Sequence, residues 1–230
     1  MNSPETLIYL IRHCEARGNV DRIFQGHTDA EISEKGKIQL KKLGERFAGI
    51  RLDALYSSPL IRAKKTARAV LGGRALEILK DERVMEINGG AMEGMPWKDF
   101  PLLFKESALL WNLSPGEFEI EGGESMRSVY ARMRAFLLET AEKWRGGVVA
   151  VCSHGCAIRN AVCFAKGYDI QRLGEVAWSD NTAVSLLRFD ENGNCGVVYE
   201  NDASHLDESL STLAGQSWWR KESLRELRFE

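Results

Sequence analysis

The sequence has no apolar run approaching the 18 or so residues that a membrane-crossing helix needs. It also has no basic excess. Lys and Arg number 31 against 33 Asp and Glu, a formal net charge of -2, where a nucleic-acid binder would carry a positive stripe or face. The glycine-rich Gly-x-x-x-x-Gly-Lys-Ser/Thr segment of nucleotide-dependent kinases and ATPases is missing. The N-terminus shows no basic leader followed by a long apolar segment. Leu7 to Ile11 is too short for one and runs straight into Arg12. Cysteine is sparse and odd in number: Cys14, Cys152, Cys156, Cys163 and Cys195. With irregular spacing and no second pair, these read as free thiols in a reducing cytoplasm, not as a disulfide frame or a zinc site. Histidine is scarcer still, at four residues.

What is present is a chain that can fold. Apolar residues make up 44% and charged residues 28%, the mixture of an ordered globular protein. Its 230 residues suffice for one sizeable domain. Residues 7–11, 53–57 and 147–152 are short apolar runs that read as buried strands, and 76–79 is a fourth candidate. Helical spacing follows each of the first three. Ser33 caps a helix over 33–48 with Leu40, Leu43 and Phe47 on one face. Ser58-Pro59 reads as cap and first position of a helix over 59–71. A helix over 155–166 follows the strand at 147–152, and 125–144 carries the apolar stripe Met126, Val129, Met133, Phe136 and Leu137. Residues 183–189 and 196–199 read as a hairpin about Asn192-Gly193. Strands alternating with helices, and strands apolar on both faces, imply an α/β three-layer sandwich with a mainly parallel central sheet flanked by helices.

No linker or internal repeat divides the chain, so 1–230 is expected to be a single domain. A lid-like insertion is expected at about 88–120, rich in glycine, proline and aromatic residues, and a polar C-terminal tail from about 207.

Ligands of such sheets sit beyond the carboxyl ends of the strands. Arg12 and His13 follow one buried strand, Ser153, His154 and Gly155 follow another, and Arg62 stands in the first turn of the helix after a third. Each residue alone is unremarkable as a strand-end or satisfied core side chain. Two of only four histidines at two strand ends, with arginines beside them, point instead to phosphate chemistry. A neutral, fixed imidazole is a nucleophile toward phosphorus, and the arginine fork matches phosphate oxygens. The remaining cations of helix 59–74, namely Lys64, Lys65, Arg68 and Arg74, read as a solvated face.

The ordered series of short motifs resembles the histidine phosphatase superfamily, the phosphoglycerate mutase-like proteins. Arg12-His13-Cys14-Glu15 with Asn19 is similar to that family's Arg-His-Gly-Glu and trailing Asn. Gln25-Gly26-His27-Thr28-Asp29, Ser57-Ser58-Pro59 with Arg62 and Thr66-Ala67, and Glu86 with Gly90 and Glu93-Gly94 resemble the following blocks. Gly123-Glu124-Ser125, Ser153-His154-Gly155, Asn181 and Ser204-His205-Leu206 complete a likeness over residues 7–206. One departure is Cys14 where the family usually has glycine.

The resemblance implies a phosphoglycerate mutase-like fold and a histidine acid phosphatase-type phosphoric monoester hydrolase. It makes His13 the nucleophile and Glu86 the proton donor. Arg12, Arg62 and His154 would surround the phosphoryl group, and Asn19, Gln25 and Gly26 would donate to its oxygens. It asks for no metal and no cofactor. The expected partner is a small-molecule phosphomonoester, with neither nucleic acid nor membrane, and a homodimer contact is one use for Trp218 and Trp219. Two other functions compete: a cofactor-dependent phosphoglycerate mutase, and a non-catalytic phosphate-ligand binding protein on the same fold. A binding protein would have no use for a nucleophile together with a proton donor.

Overall fold

The computed structural model describes residues 5–214; the Trp218-Trp219 pair and its suggested dimer contact lie outside them. Strand β1 (Thr6–Arg12) is flanked by β4 (Val148–Ser153) in parallel and by β5 (Val184–Phe189) in antiparallel. With β2 (Ala54–Ser57), β3 (Ile78–Lys80) and β6 (Cys195–Asp202), the six-stranded sheet runs β3-β2-β4-β1-β5-β6. The first four strands of this order are mutually parallel, and the β5–β6 hairpin extends the sheet antiparallel.

Because side chains alternate across a strand, the sheet sends apolar residues to two cores. Ile8, Leu10, Val149 and Val151 pack toward α6 (Met126–Lys143) and α7 (Gly155–Ala165). Ile11, Leu55, Ala150 and Cys152 pack toward α2 (Glu34–Phe47) and α3 (Ile61–Leu71). This is the mixed α/β layering expected from the strand and helix pattern. A short helix, α1 (Arg17–Val20), lies between β1 and α2.

Ser33 caps α2 as its sequence implied, accepting from Gly36 N–H at 2.9 Å. Gly36 must be glycine for another reason. A Cβ there would lie 2.2 Å from the carbonyl oxygen of Glu15, so the helix can close onto the loop after β1 only without a side chain.

Helix α3 begins later than expected. Its N-cap is Leu60, not Ser58, and the side chain that caps it belongs to Asp29, whose Oδ1 accepts from Ile61 N–H at 2.8 Å. Ser58 is engaged elsewhere, by His154 and Leu60 N–H. Arg74 is also not on a solvated face. Its guanidinium bonds the carbonyls of Val70, Leu71, Phe47 and Ile50, closing the ends of α2 and α3 together.

Residues 88–120 fold as short 3-10 turns around α4 (Phe100–Leu103) and α5 (Lys105–Leu113). They are tied to the β1–α2 connection by backbone pairing: Phe24 N–H to Met95 O at 2.8 Å and Trp97 N–H to Arg22 O at 2.9 Å. Edge-on contacts of Phe24 with Trp97 (5.3 Å) and of Trp111 with Phe118 (4.8 Å) fill the space beneath.

Candidate active site

The parallel strands β1, β2 and β4 end together. Arg12 stands opposite Ser153, and Ser57 opposite Cys152. The next residues, His13, Ser58 and His154, therefore meet at one edge of the sheet, where doubly covered parallel sheets hold ligands. The rings of His13 and His154 are 5.1 Å apart, centroid to centroid.

His13 is almost wholly buried, and its Nδ1 lies 2.7 Å from the carbonyl oxygen of Cys14. A carbonyl can only accept, so Nδ1 carries the proton and Nε2 carries the lone pair. Burial, then the charges of Arg62 and Arg12, hold His13 well below the ordinary histidine range, against the smaller opposing pull of that carbonyl. The imidazole is thus neutral and fixed in tautomer. Cys14 is fully buried, its backbone N–H on Thr66 Oγ1 at 3.0 Å, and burial pushes its thiol up to about 11. At neutral pH it is an inert small side chain, and its φ is not in the left-handed region that would demand glycine.

A cleft opens over His13. Arg12, Asn19, Gln25, Glu86, Ile87 and Cys156 line it together with Trp97, Trp111 and Trp178. Arg12 spends Nη1 on the Ser179 carbonyl at 2.6 Å, while its buried Nε has no hydrogen-bond partner among the described residues. A buried guanidinium N–H without an acceptor fits a site built for an anion. Gln25 Oε1 is likewise unpartnered.

Arg62 and His154 lie behind this cleft, both fully buried, and do not form its wall. Arg62 donates Nε to His154 Nδ1 (3.2 Å), Nη1 to Thr28 O (2.9 Å), and Nη2 to Gln25 O (3.0 Å) and Gly26 O (2.8 Å). As a consequence Gly26 turns its carbonyl toward Arg62. A Cβ on Gly26 would lie 2.4 Å from the backbone carbonyl oxygen of Ile87, so that turn needs glycine. His154 accepts at Nδ1 and therefore donates Nε2–H to Ser58 Oγ at 2.8 Å. Burial and Arg62 hold it, too, well below the ordinary histidine range.

Glu86 comes from the loop after β3. Its Oε1 accepts from Ile87 N–H (3.0 Å) and Ala157 N–H (3.2 Å), and its Oε2 from Cys156 N–H (3.1 Å). The carboxylate thus occupies the N-terminus of α7, where free N–H groups favour negative charge.

Two residues with no role in the sequence reading fix this loop. Arg132, on α6, donates to the carbonyls of Arg83 (2.6 Å), Met85 (2.7 Å) and Glu86 (3.0 Å) and pairs with Glu124 (2.9 and 3.0 Å). Glu124 also accepts from Asn88 N–H at 2.9 Å. The only sequence signal was Glu124 in a motif and an arginine eight residues later beside an apolar stripe. His27 braces the same loop, Nε2 to Glu86 O at 3.0 Å.

Comparison with known proteins gives the family and the fold. A family model described as histidine phosphatase superfamily (branch 1) matches residues 8–202. Phosphoserine phosphatase 1 of Hydrogenobacter thermophilus is 33% identical over 204 residues, covering 87% of this chain and 94% of that protein. Phosphoglycerate mutase-like protein 4 of Arabidopsis thaliana is 28% identical over 206 residues, covering 88% and 87%. Among solved structures, Bacillus stearothermophilus YhfR superposes with a TM-score of 0.83 at 29% identity, covering 88% of this chain and 100% of that one. A mutant phosphoserine phosphatase from Entamoeba histolytica, in complex with phosphoserine, gives 0.77 at 25% identity, again over 88% and 100%.

Proposed function

The chain belongs to the histidine phosphatase superfamily, branch 1, and from that premise we propose that it hydrolyses a small phosphomonoester through a phosphohistidine on His13. The observation that carries this reading is the state of His13. It is neutral, its Nδ1 proton is tied to the Cys14 carbonyl, and it lies on the wall of a cleft beside an Arg12 Nε that has no partner among the described residues.

Nε2 attacks phosphorus in line with the ester oxygen. The P–O bond breaks as the N–P bond forms, and Glu86, which takes up the proton of the ester monoanion as substrate binds, passes it to the leaving alkoxide. Water then attacks the phosphohistidine and passes a proton to Glu86, and inorganic phosphate leaves with His13 restored. Arg12 answers the charge on the equatorial oxygens directly, with Asn19 and Gln25 on the same wall. Arg62 and His154 act from behind, by charge and by holding the Gln25–Gly26 backbone. His154 reaches a phosphoryl oxygen only by exchanging its Ser58 hydrogen bond for one to the ligand.

The tryptophans of the cleft give the leaving group an apolar wall. Relatives named phosphoserine phosphatase make phosphoserine the first ester to test. A panel containing phosphoserine, p-nitrophenyl phosphate, sugar phosphates and 3-phosphoglycerate with a trace of 2,3-bisphosphoglycerate decides the matter. Release of inorganic phosphate from at least one ester, with isomerisation to 2-phosphoglycerate slow or absent, is expected. Fast isomerisation with negligible hydrolysis of every ester would make this a mutase. Binding without either reaction would make it a phosphate-ligand binding protein.

A further inference from the structure

Two buried carboxylates flank the loop that carries His13, and neither has a role in the proposed chemistry. Glu15, two residues beyond His13, is 5% exposed, and Asp180 is 4% exposed. Asp180 sits in the turn before β5 that holds the nucleophile from below. Its neighbour Ser179 takes Arg12 Nη1 on its carbonyl at 2.6 Å, and its other neighbour Asn181 donates Nδ2 to His13 O at 2.8 Å.

A buried carboxylate left short of donors pairs with the nearest cation. For Asp180 the cation at hand is Arg12, whose Nη1 is already held on the carbonyl of the adjacent Ser179. A guanidinium drawn into a carboxylate fork would have its donors turned from the cleft.

The chain after β6 supplies donors to Asp180. Residues 203–214 run back across the sheet edge. Ser211 Oγ donates to Asp180 Oδ2, and the N–H groups of Thr212 (3.0 Å) and Leu213 (3.2 Å) donate to Oδ1, beside Asn181 N–H (2.8 Å). The same segment reaches the other carboxylate. Thr212 Oγ1 donates to Glu15 Oε2 at 3.1 Å, and Gln39 bridges Glu15 N–H (2.8 Å) to the Leu210 carbonyl (2.8 Å). The donors are uncharged, so they saturate Asp180 without setting a competing cation beside the site.

We propose that Ser211, Thr212 and Leu213 are positioning residues for Arg12: by filling the lone pairs of Asp180 they keep that carboxylate off the guanidinium and leave Arg12 free for the phosphoryl group. This rests on the reading of the cleft as a phosphate site. The strap acts through Asp180 and touches no substrate. Its effect therefore falls on phosphate affinity, and removing the Asp180 charge cancels it.

The test uses the full chain and inorganic phosphate as probe, with affinity read by equilibrium dialysis. The double variant Ser211→Ala, Thr212→Pro removes two of the strap's three donors to Asp180. It should bind phosphate about tenfold more weakly than the unaltered chain, and adding Asp180→Asn should bring affinity back to within about threefold, as expected when one charge-assisted contact is lost and regained. A merely structural strap would instead move the urea midpoint and leave the phosphate affinity of the folded chain unchanged. Unchanged phosphate affinity in the double variant, or no recovery on adding Asp180→Asn, overturns the proposal. If circular dichroism shows the double variant unfolded, Ser211→Ala alone with and without Asp180→Asn is judged by the same two outcomes at smaller amplitude. Absence of phosphate binding by the unaltered chain instead refutes the proposed function, and the strap's role with it.

Discussion

Arg62 Nε donates to His154 Nδ1 at 3.2 Å, so a fully buried arginine fixes the tautomer of a fully buried histidine and forbids its protonation at that nitrogen. The consequence is a pH dependence of stability. His13 and His154 are both held well below 6.5, by burial first and by Arg62 next. His205, half-buried between Arg46 and Thr182, is lowered to about 4, again by burial and then by Arg46.

Below pH 6.5 the unfolded chain takes up protons on these imidazoles that the folded chain refuses. Stability is therefore complete above about 6.5 and falls on acidification toward 4. The slope should be on the order of 1 kcal/mol per pH unit for each of the two fully buried rings. Urea unfolding from pH 7.5 to 4.5 measures it. A flat profile over that range contradicts the neutral-histidine site. Turnover should keep its His13-dependent acid limb below pH 6.5 for the same reason.

His13→Ala removes the nucleophile and leaves the Cys14 carbonyl without its imidazole partner. Turnover of any confirmed ester should drop by roughly four orders of magnitude or more. The acid-labile phosphoryl label expected on the unaltered chain should vanish, while the far-ultraviolet spectrum stays as it was. Persistence of label on the variant would move the nucleophile elsewhere.

Glu86→Gln keeps a carbonyl acceptor for the α7 N–H groups but cannot give a proton. Esters of poorly acidic alcohols should slow by roughly 10²–10⁴-fold, and p-nitrophenyl phosphate, whose leaving group needs little protonation, by less than about tenfold. The ratio of kcat/KM values between the two classes is the readout. Equal losses would remove Glu86 from the acid role and leave it a helix cap alone.

Arg132→Met strips three hydrogen bonds from the Glu86 loop and two from Glu124, which is left half-buried without its cation. Stability should fall by about 2–3 kcal/mol, read by chemical denaturation. Turnover of alkyl esters should fall more than that of p-nitrophenyl phosphate, because the acid is what the loop positions. A loss of stability with the two substrates equally affected would limit Arg132 to a structural role.

The sequence by itself determined, to within a residue, where the strands end and what stands there. Apolar runs marked β1, β2 and β4, and the polar residues immediately after them were the ones that could meet at a sheet edge. Sequence-local capping was legible where the capping side chain precedes its own helix, as at Ser33. It failed at Ser58, where the hydroxyl belongs to His154 and the cap of α3 comes from Asp29, 32 residues away.

What only the tertiary structure decided lies in such long-range hydrogen bonds. The fit of the Glu86 carboxylate into the α7 N-terminus spans 70 and 71 residues, and the saturation of Asp180 by Ser211, Thr212 and Leu213 spans 31 to 33. The withdrawal of Arg62 and His154 from the cleft wall belongs with them. Periodicity reports which face of an element is buried. It carries no record of which distant donor a buried carboxylate or imidazole will meet, because that partner is set by how the layers pack and not by the spacing of residues along either one.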